Sequence, residues 1–269
     1  MVENVIYYYS GTGNTLSVAK SIAEKLELTT LVSMKCSPYD VRMKATERVG
    51  FVFPVYYLGM PRIVEEFMKK IVLPENIYIF VIVTYGGMVG NALKQAESIL
   101  EKREYHLSYS AKIKSVGNNI MLYDISKKKQ KILASALVQT KTLIEDLVSM
   151  TKNDVGIQNP LIELYYNYKM RLSTCKDMEF EVTRSCTHCG LCYQICQGNN
   201  IELVDGMPTF RHKCQQCMAC IQFCPVQAIN YKKITCSRER YHHPEIKPQD
   251  LMESQFVYGK NRLNPSLDK

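Results

Sequence analysis

Two short runs carry most of the chemistry open to this 269-residue chain. Residues 186–196 read CTHCGLCYQIC and residues 214–224 read CQQCMACIQFC, each with the spacing C-x2-C-x2-C-x3-C. Every cysteine of the first run recurs 28 residues later. Ile201 and Ile229 share that offset, so the repeat extends past the thiols themselves. Eight of the eleven cysteines lie here: Cys186, Cys189, Cys192, Cys196, Cys214, Cys217, Cys220 and Cys224. The chain opens without a basic region followed by a long apolar stretch, so no export signal is expected. Thiols in that setting point to metal or redox chemistry rather than structural disulfides. Zinc can use paired C-x2-C units, but two identical four-cysteine runs are more typical of iron–sulfur clusters. Cys36, Cys175 and Cys236 fall outside the repeat and read as plain thiols. His188, His242 and His243 read as surface or packing side chains.

A second chemical signal lies near the start, where residues 7–17 read YYYSGTGNTLS. An apolar run, Val5 to Tyr9, precedes two glycines and several hydroxyl side chains. Leu16, Ala19, Ile22, Ala23 and Leu26 then recur at helical spacing. A loop between a strand and a helix N-terminus offers unpaired backbone N–H groups and the positive end of the helix dipole, which together suit an anion. A Walker loop would need a lysine, and none lies between Ser10 and Leu16. A dinucleotide fingerprint would need a small residue at Leu16 and an acid about twenty residues later, and both are missing. What remains is a cradle of neutral donors, Ser10, Gly11, Thr12, Gly13, Asn14 and Thr15, suited to one terminal phosphate. The plainer alternative is a turn ending in a helix N-cap. Two further glycine-containing loops, FPVYYLGMP at 53–61 and TYGGMVGNA at 84–92, set tyrosines beside glycines that let backbone approach a flat ligand. For these tyrosines, ordinary strand-end packing is the alternative.

The elements that must position these loops follow from periodicity. Apolar runs at 2–9, 30–33, 49–55, 77–85 and 113–122 alternate with helical patterns at 16–26, 62–72, 92–102 and 128–149. Continuous apolar strands between helices predict a doubly wound parallel sheet, order 2-1-3-4-5, with its ligand at the carboxyl ends of the strands. All three loops do follow strands. The expected organisation is one domain over 1–150, a connecting helix beginning near Pro160 and a linker over 151–180, a cysteine domain over 181–235 and a tail over 236–269. Between the cysteine runs, IELVDGMPTF reads as a hairpin turning on Asp205-Gly206.

The residues SGTGNT at 10–15 resemble the FMN phosphate loop of flavodoxins, and the cysteine runs resemble bacterial two-cluster ferredoxins. The combination is similar to the flavodoxin–ferredoxin fusion family of anaerobic microbes. That resemblance implies a flavodoxin-like α/β domain followed by a small α+β ferredoxin domain. It implies FMN held by residues 10–15, by Pro54, Val55, Tyr56, Tyr57, Leu58 and Gly59, and by Thr84, Tyr85, Gly86, Gly87, Gly90 and Asn91. It implies one [4Fe–4S] cluster on Cys186, Cys189, Cys192 and Cys224 and another on Cys214, Cys217, Cys220 and Cys196. The two cofactor sites read as separable, so that loss of Cys217 should cost a cluster and spare the flavin. One departure stands out: Pro225 follows Cys224 as the pattern expects, but Gln197 follows Cys196. Proline there would remove an N–H able to reach a sulfur, so glutamine should alter the potential of the second cluster.

The implied function is one-electron transfer between clusters, flavin and redox partner proteins, without a small-molecule substrate. An FMN-dependent reductase of a quinone or nitro compound is the alternative; no histidine lies in the three flavin loops to supply a proton. The formal charge of +8 is scattered except in SKKKQK at 126–131, which reads as a solvated helix face. No nucleic-acid motif is present. The longest apolar run, IYIFVIVT, is far below the roughly 18 residues of a membrane span. A cytoplasmic protein is expected, and a homodimer is compatible with the sequence.

Overall fold

The computed structural model describes residues 3–35, 46–173 and 175–259. Five apolar runs form parallel strands: β1 (Glu3–Tyr8), β2 (Thr29–Ser33), β3 (Thr46–Pro54), β4 (Tyr78–Tyr85) and β5 (Leu107–Lys114). Their order is β2-β1-β3-β4-β5, with every pair parallel, as expected. Strand β4 is buried from Tyr78 through Thr84, because helices cover both faces of a parallel sheet. Helix α1 (Asn14–Leu26) lies beside α4 (Lys129–Val148), and α2 (Arg62–Lys70) lies beside α3 (Ala92–Glu101). The periodic residues Leu16, Ala19, Ile22 and Ala23 of α1 face inward and are fully buried.

Strand β5 ends earlier than the expected 113–122. It is LSYSAKIK, which alternates polar and apolar residues and pairs only with β4 at the sheet edge. An edge strand tolerates such alternation, whereas the apolar run that follows leaves the sheet as a loop. On the opposite edge, β10 (Gln255–Tyr258) pairs antiparallel with β2, setting Phe256 against Leu31. The chain thus returns to cover an edge that would otherwise stand open.

Helix α5 (Pro160–Ser173) lies back against the sheet domain. Its Tyr166 hydroxyl donates to the Met60 carbonyl at 2.6 Å. Glu163 accepts from Gln95 Nε2 at 3.0 Å and Asn91 Nδ2 at 3.1 Å.

The cysteine-rich unit has two matching halves. Strand β6 (Phe180–Val182) pairs antiparallel with β9 (Ile229–Tyr231), and β7 (Ile201–Val204) pairs with β8 (Met207–Phe210). The β7–β8 turn is Asp205-Gly206, both with positive φ, 50° and 79°, the turn type that matches strand twist. One-turn helices α6 (Leu191–Gln194) and α7 (Ala219–Gln222) stand at equivalent places in the two cysteine runs. This unit has no separate core. Met218, Ile221, Ile229 and Tyr231 pack with Val116, Ile120 and Met121 from the segment after β5, and Cys217, Ala219 and Phe223 join the core of the sheet domain. Among the described residues, no helix is long and apolar enough to cross a membrane.

Candidate flavin and cluster sites

The loops at the carboxyl ends of the strands enclose two adjoining cavities. The narrower lies at the N-terminus of α1. It is lined by Ser10, Gly11, Thr12, Asn14 and Thr15, by Pro54, Val55 and Tyr56, and by Thr84, Tyr85 and Gly86. Its remaining wall is Ser115, Val116, Gly117, Asn118 and Tyr123. Hydrogen bonds set the polar side chains: Thr15 Oγ1 and Thr84 Oγ1 are 2.7 Å apart, and Asn118 Nδ2 donates to Thr12 Oγ1 at 2.9 Å. The Leu16 N–H donates to Ser10 Oγ at 3.3 Å. Gly13 caps α1 at φ 93°, and the first turn carries no acidic residue to compete with a bound anion.

The wider cavity shares Val55, Tyr56, Gly86, Asn118 and Tyr123 with the first. Tyr57, Leu58, Gly87, Met88, Asn119, Leu122, Tyr165 and Gln216 complete it. A narrow polar end at a helix N-terminus opening into an aromatic chamber fits a ligand with a phosphate at one end and a flat ring at the other. FMN has that form, and the residues present fit it.

Four of the residues expected at the flavin line neither cavity. Gly13 turns the chain into α1. Gly59 exchanges two backbone hydrogen bonds with Tyr56, each 2.9 Å, and faces the Tyr166 ring. Gly90, at φ 60°, packs on the Leu58 carbonyl. Asn91 points its side chain at Asn159 O (2.8 Å) and Glu163. They shape the loops from behind, because a loop that presents some side chains to a ligand needs others to anchor it. Conversely, residues 115–119 (SVGNN), Tyr123, Tyr165 and Gln216 line the cavities unanticipated. A glycine and two asparagines just after a strand were the available signal for 115–119, obscured by the late placement of β5. Tyr165 and Gln216 reach the site through tertiary folding alone.

The thiols fall into two sets. Cys196, from the first run, lines a small cavity with Cys214, Cys217 and Cys220 from the second, among Phe180, Ile201, Phe210 and Met218. Burial, and after it neighbouring Cys196, pushes the Cys217 thiol up to about 11. Burial likewise lifts Cys192 to about 11, with its neighbours Cys189, Cys224 and Cys186 adding to the rise. So Cys192 has three partners, one of them from the other run. Among the described residues, no three His, Cys, Asp or Glu side chains gather closely enough to hold a single ion. Backbone N–H groups reach the sulfurs: Asn200 to Cys196 Sγ at 3.2 Å, Gln216 to Cys214 Sγ at 3.3 Å and Ala228 to Cys224 Sγ at 3.2 Å. The backbone amide of Gln197, the residue that replaces proline, hydrogen-bonds Cys217 and acts to lower its pKa. Buried Asp177 accepts from Asn200 Nδ2 at 2.8 Å and steadies that turn. Cys175 and Cys236 are exposed, and Cys36 lies outside the described residues.

The two sites meet. The Cys217 carbonyl lies against Gly11, where a Cβ would overlap it. Asn118 Nδ2 approaches that carbonyl at 3.5 Å, and the Tyr57 hydroxyl donates to Gln216 Oε1. Gln222 Nε2 donates to Asn118 O at 2.8 Å, while its Oε1 accepts from the Tyr241 N–H at 2.7 Å. The segment 240–246 then straps the phosphate loop: the Tyr241 hydroxyl donates to Asn14 Oδ1 at 2.6 Å, and the His243 N–H donates to Thr12 O at 2.8 Å. His242 stacks on Phe223, rings 4.5 Å apart. The two sites thus share one wall.

Sheet order, loop placement and thiol grouping define a flavodoxin-like α/β protein with an attached iron–sulfur unit. Residues 5–117 match the family model for a flavodoxin domain, and residues 210–230 match that for a 4Fe-4S binding domain. The chain thus joins a flavodoxin-type domain to a 4Fe-4S binding domain, the make-up of a flavin and iron–sulfur redox protein. Solved structures similar to it include an FMN-dependent NADH-azoreductase from Bacillus anthracis. That likeness is 10% identical, covers 55% of this chain and 100% of the other, and has a TM-score of 0.40. Rubredoxin oxygen:oxidoreductase from Desulfovibrio gigas is 18% identical over 54% of this chain, with a TM-score of 0.36; the chain spans 37% of that protein. No curated protein matches the chain.

Proposed function

We propose that the protein is an electron-transfer iron–sulfur flavoprotein, an intermediary between a low-potential donor and partner redox proteins. In this reading Cys186, Cys189, Cys192 and Cys224 hold one [4Fe–4S] cluster, and Cys196, Cys214, Cys217 and Cys220 hold the second. The loops of Ser10–Thr15, Pro54–Leu58, Thr84–Gly87 and Ser115–Asn119 hold FMN. The bound groups supply one-electron carriage at each cluster and storage of one or two electrons at the flavin. The protein's own residues set the distance between them, exclude water with Tyr9, Tyr56 and Phe223, and present N–H groups to the sulfurs.

The observation that carries this reading is the contact of the Cys217 carbonyl with Gly11, which joins the second thiol cavity to the phosphate loop. Joining them in one chain replaces a bimolecular encounter with transfer at high effective concentration. Both sites and their contact lie within one chain, so this reading needs no second copy. Thiol-rich sites of this kind favour work in the reducing cytoplasm.

A second reading has its own support. The wide cavity opens among the exposed side chains of Met88, Leu122, Tyr123 and Tyr165, a mouth into which a small flat acceptor could enter. Protein purified without oxygen should carry one FMN and about eight iron and eight sulfide. Reduced protein should then pass electrons to other redox proteins much faster than to quinones or nitro compounds. Turnover of a small acceptor at about 10 per second would favour the reductase. Zinc, or no flavin, would overturn both.

A further inference from the structure

Tyr9 is buried and Tyr56 half-buried, and both are anomalous. Their hydroxyl oxygens are enclosed and make no hydrogen bond among the described residues. The rings meet edge to face, centroids 6.2 Å apart, and the hydroxyls lie near one another without hydrogen-bond geometry. A buried donor left unsatisfied is costly and calls for an explanation. The surroundings supply one. Burial raises both phenols well above their ordinary range, and Cys217 and Cys214 are near enough to both to raise them further. Cys217 itself is buried in the same core as Tyr9, with Tyr56 packed against it. Tyr56 also lines both flavin cavities. Tyr56 therefore lines the flavin cradle and also stands near the thiols of Cys217 and Cys214.

We propose that the Tyr9 and Tyr56 hydroxyls donate to the sulfurs of the cluster held by Cys196, Cys214, Cys217 and Cys220, and that Tyr56 bridges this cluster to the flavin. The proposal rests on the function proposed above and adds an order. The set containing exposed Cys189 is the outer one, and the set at Tyr56 is the inner one. Across Tyr56 one electron passes: the inner cluster is oxidised by one and the flavin reduced by one. The outer cluster then replaces the electron from a one-electron reductant, dithionite in the test below. Hydroxyl donors stabilise the more negative, reduced cluster, so they raise its potential.

The test begins with flavin and iron content of the wild-type protein; absence of FMN or of half the iron would overturn the underlying function, and this assignment with it. Given full cofactors, Tyr56→Phe keeps the ring and removes the donor. In redox titrations followed by electron paramagnetic resonance, one cluster should move to lower potential and the other stay. The shift should persist in a Cys189→Ala background, which lacks the outer cluster. Tyr56→Leu removes the ring, and the rate of flavin reduction after rapid mixing with dithionite should fall at least tenfold while cluster reduction keeps its rate. Tyr9→Phe, less exposed to the flavin, should lower the same cluster potential without slowing the flavin. Unchanged potentials in both phenylalanine variants, or an unchanged flavin rate in Tyr56→Leu, would overturn the proposal.

Discussion

The carbonyl of Cys217 occupies the space that a side chain on Gly11 would need. A residue of the FMN-type phosphate loop and a residue of a cluster-type cysteine run, 206 positions apart in the chain, are thus each other's immediate surface. Gly11 is required less for its backbone freedom than for the absence of a Cβ.

Gly11→Ala should therefore disturb both sites at once. Forcing a methyl group against backbone costs about 1–3 kcal/mol, and the strain has two loops to enter. FMN and iron content per chain should both fall. Loss of FMN alone, with iron intact, would mean that the loops yield independently.

Asn118 anchors the unforeseen wall of the phosphate cavity through Thr12 Oγ1 at 2.9 Å. Asn118→Ala removes a net hydrogen bond of about 1 kcal/mol, or roughly a fivefold weaker FMN affinity. Titration of the flavin-free protein with FMN measures this directly. An unchanged dissociation constant would remove Asn118 from the site.

Gln197 contributes a backbone N–H toward Cys217 that proline would lack. Gln197→Pro should leave the iron in place and lower the potential of the second cluster, because the reduced cluster loses a donor. A redox titration showing both cluster potentials unmoved would exclude that amide as a determinant.

The strap should loosen in acid. Burial holds the His243 imidazole below its ordinary 6.5, with Glu245 pulling it up and His242 pulling it down. Below 6.5 the released strap takes up a proton that the clasped strap still refuses. Acidification through that window therefore favours release, and the stability is fully present only above it. Lowering the pH from about 7.5 to about 5.5 should speed FMN loss, and His243→Gln should flatten the dependence. Equal slopes in wild type and variant would place the pH sensitivity elsewhere.

Much of the fold was legible from sequence because its signals are local. The continuous apolar run of β4 could only be a strand buried on both faces, and Leu16, Ala19, Ile22 and Ala23 marked the inner face of α1. The four-cysteine spacing and Asp205-Gly206 marked the cysteine-rich unit for the same reason: a tight thiol loop and a two-residue hairpin are each written in a few adjacent residues. Strand β5 escaped because an edge strand need not be apolar, and with it went the SVGNN loop.

Which residues could hold a phosphate, and which thiols come in fours, can be read from spacing along the chain. Tertiary structure alone decided that Gln216 and Tyr165 join the flavin chamber, that Tyr241 and His243 strap the phosphate loop, and that Cys217 lies on Gly11. Those contacts arise where two units too small or too open to bury their own surfaces close on each other. The short β-strands and one-turn helices around the cysteines have no separate core, so Met218, Ile221 and Phe223 are buried only by docking on the sheet domain. That shared burial, which no local pattern encodes, sets the two redox sites side by side.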